Sequence, residues 1–206
     1  MSLKTFVKIG KIENLSDARY CAGMMADILG FNLEEGTTGY VSPEKFSEIS
    51  EWVAGVKFCG EFGLSNPADI KLATTQYALD LIEVQTIEQL EELSDLGISM
   101  IFKKPIVSIE DLETLDSVIQ LAGDHATYII IHSSKKELTP AIDKKITELE
   151  INTSILRSYD LHPDSIGDVI ATNEFHGIEL EGSPEDRPGF KDYGVVMDIL
   201  EELEEE

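Results

Sequence analysis

Apolar and polar positions along this chain follow two alternating periods. Eight short apolar runs, at 5–10, 26–32, 56–62, 79–84, 99–107, 126–133, 153–159 and 177–182, are each followed by a stretch with apolar residues at helical spacing. Short apolar runs bounded by turn residues read as buried strands, and strands alternating with helical stretches read as parallel βαβ units. Eight such units are the number that closes a barrel. The expected fold class is therefore α/β: a (β/α)8 TIM barrel of eight parallel strands and eight helices. The 206 residues suit a single domain over 1–206 with an acidic C-terminal end. Chemistry in such a barrel sits on the loops after the C-terminal ends of the strands.

Helix starts are well marked. Asn14, Ser42, Asn66, Thr86, Ser108 and Thr139 stand where a side-chain oxygen can accept an orphan backbone N–H. Pro43, Pro67, Pro140 and Pro163 follow at the first helical position, where a missing donor costs nothing. Thr86 with Gln89 has the spacing of a capping box. The helices then run over 15–25, 43–53, 67–77, 87–97, 109–122, 140–151, 163–173 and 192–204. The polar connection 135–138 makes the sixth unit the least regular.

Composition narrows the partners. A formal charge of −24 argues against nucleic acid, because a polyanion binder needs a basic face to release counterions. No apolar run reaches the length of a membrane span, and no signal-peptide pattern opens the chain. Two cysteines, Cys21 and Cys59, make no disulfide framework, so the expected compartment is the cytoplasm. The histidines His125, His132, His162 and His176 are scattered, so neither a metal site nor another cofactor is implied. The expected partner is a small molecule, and the sequence carries no signal for an oligomeric state.

Three windows resemble one family. Val7-Lys8-Ile9-Gly10-Lys11, with Asp17-Ala18 and Ala26-Asp27-Ile28-Leu29-Gly30-Phe31, resembles V-K-I-C-G-I-T-x-x-x-D-A and A-D-x-L-G-F. Tyr40-Val41-Ser42-Pro43 is similar to the end of S-P-R-Y-V-S-P. Pro188-Gly189-Phe190-Lys191-Asp192, with Glu185, is similar to E-x-x-P-G-x-K-D. In order and spacing these resemble phosphoribosylanthranilate isomerase, a (β/α)8 enzyme of tryptophan biosynthesis. The resemblance implies an Amadori isomerisation that opens an N-linked ribose phosphate, a sugar-phosphate ligand, and a general acid and base within reach of it.

The departures fall on the positions that would do this work. The base, the Cys of K-I-C-G, aligns with Gly10, and the acid, a strand-ending Asp, aligns with His132. The carboxylate-gripping Arg of S-P-R-Y aligns with Gly39, and Glu179 aligns with an inward Asp of V-D-V-S-S-G. Glycine-rich phosphate turns align with Ser134-Lys135-Lys136, with Ser158-Tyr159-Asp160, and with Glu181-Gly182-Ser183. Glu181 there would repel a phosphate by about 1–4 kcal/mol at roughly 4 Å near a surface. Activity in the family reaction is thus expected to be weak or absent.

Other residues near strand ends keep two readings each. His132 has the titration range of an acid–base group, or it is a hydrogen-bonded strand-end residue. Glu83, Lys103, Lys104 and Arg157 form a charged mouth with His132, or some of them face the helices. Glu83 or Lys11 is a candidate replacement base. Cys59 is a relocated base or a small core residue. Lys8 shares strand parity with Gly10, so a Lys8–Glu179 pair is expected inside the barrel, as a structural pair or as part of a site. The functional alternatives are a sugar-phosphate isomerase, a non-catalytic binding or interaction protein on the same barrel, and an enzyme with different chemistry at a remade mouth.

Overall fold

A computed structural model of the chain describes residues 2–149, 152–182 and 193–205. Eight parallel strands close in sequence order into a barrel. They are β1 Phe6–Gly10, β2 Ile28–Asn32, β3 Lys57–Glu61, β4 Leu81–Val84, β5 Ser99–Pro105, β6 Tyr128–His132, β7 Ser154–Ser158 and β8 Gly177–Glu181. The expected (β/α)8 architecture is present, with each strand inside its predicted run.

Around the strands lie α1 Leu15–Gly23, α2 Pro43–Ser50, α3 Pro67–Ala73, α4 Ile87–Leu93, α5 Glu110–Glu113, α6 Leu115–Gly123, α7 Thr139–Thr147, α8 Ile166–Ala171 and α9 Gly194–Leu203. Four predicted caps form. Asn14 and Asn66 accept the N–H groups of Asp17 and Asp69 at 3.0 Å each, and Ser42 accepts that of Lys45 at 3.3 Å. Thr86 and Gln89 satisfy each other's backbone N–H groups at 3.1 and 2.9 Å.

Two caps do not form as expected. The Asp111 carboxylate, instead of Ser108, takes the N–H groups of Val107 and Ser108 at 2.9 and 3.1 Å, and the fifth helix breaks at Thr114 into α5 and α6. Thr139 has helical dihedrals because a 3-10 turn at Lys136–Leu138 feeds directly into α7. A second 3-10 turn, Pro163–Ser165, precedes α8 and shortens the predicted seventh helix.

Strand alternation separates two apolar layers. Ile28, Cys59, Leu81, Ile101, Ile130 and Leu156 fill the lower barrel interior. The alternate residues, such as Val7, Leu29, Ile82, Ile129 and Ile155, face the helices and join the larger core. Each buried aliphatic side chain contributes about 1.5–3 kcal/mol relative to exposure. At the N-terminal end, Phe6 and Tyr128 stack with ring centroids 4.9 Å apart, and the His176 ring lies 5.1 Å from Phe6 and 5.7 Å from Tyr128. These rings pave the floor of the barrel.

The β8–β1 seam is tight. Gly177 pairs with Phe6, and a Cβ on Gly177 would lie 2.1 Å from the Phe6 carbonyl oxygen. Gly177→Ala is therefore expected to destabilise the fold by about 1–3 kcal/mol. Gly167, in α8, has nothing within 4 Å of a Cβ, so Gly167→Ala is expected to stabilise by about 0.5–1 kcal/mol. Urea unfolding of the two variants checks both signs.

Candidate functional site

Above the apolar layer the inward positions become charged. Lys8 on β1 is fully buried, and its Nζ lies 2.7 Å from Glu61 Oε1 on β3, 2.7 Å from Glu83 Oε2 on β4 and 2.5 Å from Glu179 Oε1 on β8. The Lys8–Glu179 pair expected from strand parity is thus present. Lys103 Nζ on β5 lies 2.9 Å from Glu179 Oε2 and 3.9 Å from Glu83 Oε1, and it pairs with Glu181. Lys11 also pairs with Glu181 at the rim, and its backbone N–H donates to Glu61 Oε2 at 3.2 Å.

The titration of these groups follows from burial and pairing. Burial pulls Lys8 and Lys103 down, but the surrounding carboxylates outweigh it and raise both. They are ammonium ions, not nucleophilic amines. Burial raises Glu179 and Glu181, yet Lys103 and its fellow lysines hold both below the usual carboxylate range. Burial pushes the Cys59 thiol well up, so this residue is a core thiol and not a relocated base. Burial and the Lys103 charge lower His132 and favour the neutral ring.

Glu61, which sequence reasoning missed, explains two glycines. A Cβ at Gly10 would lie 2.8 Å from Glu61 Oε1, and one at Gly30 would lie 2.0 Å from the same oxygen and 3.1 Å from Lys8 Nζ. The Glu61 carboxylate therefore fills the space that a side chain at position 10 would enter. The signal was its parity with inward Cys59 at the end of β3.

The remaining predicted residues divide. His132 and Ser158 are cross-strand neighbours, with Nδ1 3.1 Å from Oγ. Both face a cavity of about 300 Å³ with Asp160, Glu179, Glu181 and Val195 on its wall. Glu61, Glu83, Lys103 and Lys11 line a second cavity of about 260 Å³ that also reaches His132.

Arg157 and Lys104 are not at the mouth. Arg157 alternates with inward Leu156 and Ser158, so it points outward, 2.7 Å from Asp143 on α7 and 4.2 Å from the Tyr159 ring centre. The Tyr159 hydroxyl donates to the same Asp143 at 2.7 Å. Lys104 likewise faces outward, to Asp111 at 3.2 Å. Gly39 lies in the β2–α2 connection, where a Cβ would meet Glu13 Oε1 at 2.9 Å. The Asp160 carboxylate lies 3.5 Å from Lys136 and 3.2 Å from His162. Gly182 is buried just past β8. Ser183, Glu185 and the 188–192 motif lie outside the described residues.

Two triplets have metal-ligating atoms within 4.8 Å of one another: Glu61, Glu83 and Glu179, and His132, Glu179 and Glu181. Lys8 touches all three members of the first, and Lys103 pairs with both carboxylates of the second. The lysines supply the positive charge that an ion would bring. Among the described residues no helix is long and apolar enough to cross a membrane.

A closed parallel barrel with its polar groups gathered at the C-terminal strand ends defines a TIM-barrel protein. No family model matches the chain. It is 23% identical over 206 residues to the N-(5'-phosphoribosyl)anthranilate isomerase of Aquifex aeolicus, covering 97% of this chain and 98% of that one. Its fold is similar to phosphoribosylanthranilate isomerase of Thermotoga maritima, with a TM-score of 0.73 at 20% identity, over 97% of this chain and 98% of that one. It is also similar to TrpF of Jonesia denitrificans, with a TM-score of 0.74 at 11% identity, over 97% and 96%. The chain is thus similar to phosphoribosylanthranilate isomerases along its whole length, in fold and weakly in sequence.

Lys8→Met strands three buried carboxylates and is expected to cost about 3–5 kcal/mol of stability in denaturant titration. Gly10→Cys collides with Glu61 and is expected to cost about 1–3 kcal/mol. Adding Glu61→Ala to Gly10→Cys relieves the collision, so a double-mutant cycle reads less than the sum of the single costs. Glu179 and Glu181 are held below their unfolded value of 4.5, so their contribution is present above that pH and is lost as pH falls from there through their lower folded values. A falling thermal midpoint on acidification checks this sign.

Proposed function

We propose that this chain keeps the isomerase family's barrel without its Amadori rearrangement, and serves as a protein that binds a small, polar, unphosphorylated molecule at the barrel mouth. The observation that carries the reading is the Glu61 carboxylate, which stands 2.8 Å from where a side chain at position 10 would begin. In the family that side chain is the base. Glu61 is paired with Lys8 at 2.7 Å, so the carboxylate in that place is engaged by a buried ammonium group.

The cavity beside β6, β7 and β8 supports the second half of the proposal. Among the described residues its wall holds Asp160, Glu179 and Glu181 and no lysine or arginine. A phosphate brought there would meet like charge instead of bare amides. One solved relative, a phosphoribosylanthranilate isomerase, is in complex with reduced 1-(o-carboxyphenylamino)-1-deoxyribulose 5-phosphate. We infer that this ligand type does not suit the present mouth. The buried free thiols of Cys21 and Cys59 and the strong negative charge support a cytoplasmic protein that does not bind nucleic acid.

A second reading is a different reaction at the remade mouth. It is favoured by the neutral His132 ring, 3.1 Å from the Ser158 hydroxyl in the same cavity.

The test is direct. Purified protein is mixed with freshly formed phosphoribosylanthranilate and the loss of anthranilate fluorescence is followed. The expected rate equals the protein-free rate, and the reduced product analogue is expected to leave the thermal midpoint unmoved. Gly10→Cys combined with His132→Asp is expected to stay silent as well. Turnover by the wild-type chain overturns the proposal.

A further inference from the structure

Among the described residues, the buried charges of the barrel interior do not balance. Lys8 and Lys103 face three buried carboxylates, Glu61, Glu83 and Glu179, while Lys11 and Glu181 pair at the rim. Two positive charges against three negative leave one charge uncompensated where water is excluded, which burial strongly disfavours.

Support among the carboxylates is uneven. Glu179 lies 2.5 Å from Lys8 and 2.9 Å from Lys103. Glu61 lies 2.7 Å from Lys8 and takes the Lys11 backbone N–H at 3.2 Å. Glu83 has less. Its Oε2 is 2.7 Å from Lys8 Nζ and, like Glu179 Oε2, forms no hydrogen bond, and its Oε1 is 3.9 Å from Lys103, so it has one close cation where Glu179 has two. Glu61 is its neighbour across the β3–β4 register, so like charge presses on it from the side.

We propose that the barrel interior carries one exchangeable proton, held on Glu83 at the mouth cavity, and that Glu83 is the group that exchanges a proton with whatever occupies that cavity. Glu83 lines the 260 Å³ cavity alongside Lys11, Asn32, Lys103 and His132. The groups facing it are Lys8 on β1, Glu61 and the Cys59 thiol on β3, Lys103 on β5 and Glu179 on β8. Burial pushes its carboxyl up to about 7 against the pull of Lys8 and Lys103. That is the range in which a proton carrier works at neutral pH. This assignment does not rest on the loss of the family reaction, because its readout is spectroscopic and needs no substrate.

Infrared difference spectra of the wild-type chain between about pH 5 and about pH 9 test it. The expected result is the carbonyl stretch of one buried, protonated carboxylic acid, lost through a single transition near neutrality. Glu83→Gln removes both band and transition, and Glu61→Gln, which takes away the surplus negative charge, moves the transition to lower pH. The charge-conserving Glu83→Asp moves the band itself, and Glu61→Asp leaves it in place. A group raised in the folded state gives stability that is present below its unfolded value of 4.5 and lost as pH rises through about 7. The thermal midpoint of Glu83→Gln therefore gains on the wild type as pH rises; His132 shifts stability the other way, but in both proteins alike. A wild-type spectrum without the band overturns the proposal, as does a band that survives Glu83→Gln or one that moves in Glu61→Asp and stays in Glu83→Asp.

Discussion

One ammonium group shared by three glutamates holds the upper half of this barrel in place. Lys8 is sealed from water, so its charge is tolerable only because Glu61, Glu83 and Glu179 surround it within 2.7 Å. Everything near it adapts to that arrangement. Gly10 and Gly30 stay bare because the Glu61 carboxylate occupies the volume in front of them. Lys103 extends the network upward to Glu181, and Lys11 ties Glu181 to the rim. The lower interior, by contrast, is plain aliphatic packing.

Much of this architecture could be read from the chain itself. Period-two runs and capped helical stretches fix a barrel because each is a local signal with a local cause: Asn14 and Thr86 cap helices through their own side chains. Where a tertiary partner decides, the local rule fails. Ser108 looks like a cap, but a carboxylate three residues on takes the amides instead. Arg157 looks like a mouth residue, yet strand parity and Asp143 draw it to the helix layer. Parity also gave Lys8–Glu179, and the same reasoning applied one strand further would have found Glu61. The partners of Lys8 come from three separate strands, β3, β4 and β8, which no short motif displays.

The likeness to the isomerases is one of scaffold. A shared barrel does not transmit a reaction, since chemistry depends on a few side chains at its rim. Here those positions are reorganised as a set. The Glu61 carboxylate excludes a side chain at position 10, the neutral His132 stands against Ser158, and Tyr159 is fastened outward to Asp143. A single substitution into this set meets neighbours already engaged elsewhere, as a side chain at position 10 meets Glu61.

The aromatic floor formed by Phe6, Tyr128 and His176 has a consequence for traffic. With those rings beneath the aliphatic layer of Ile28, Cys59, Leu81, Ile101, Ile130 and Leu156, the axis of the barrel is a plug and not a conduit. Among the described residues, traffic with solvent falls to the opposite end, beside Lys11 and Glu181.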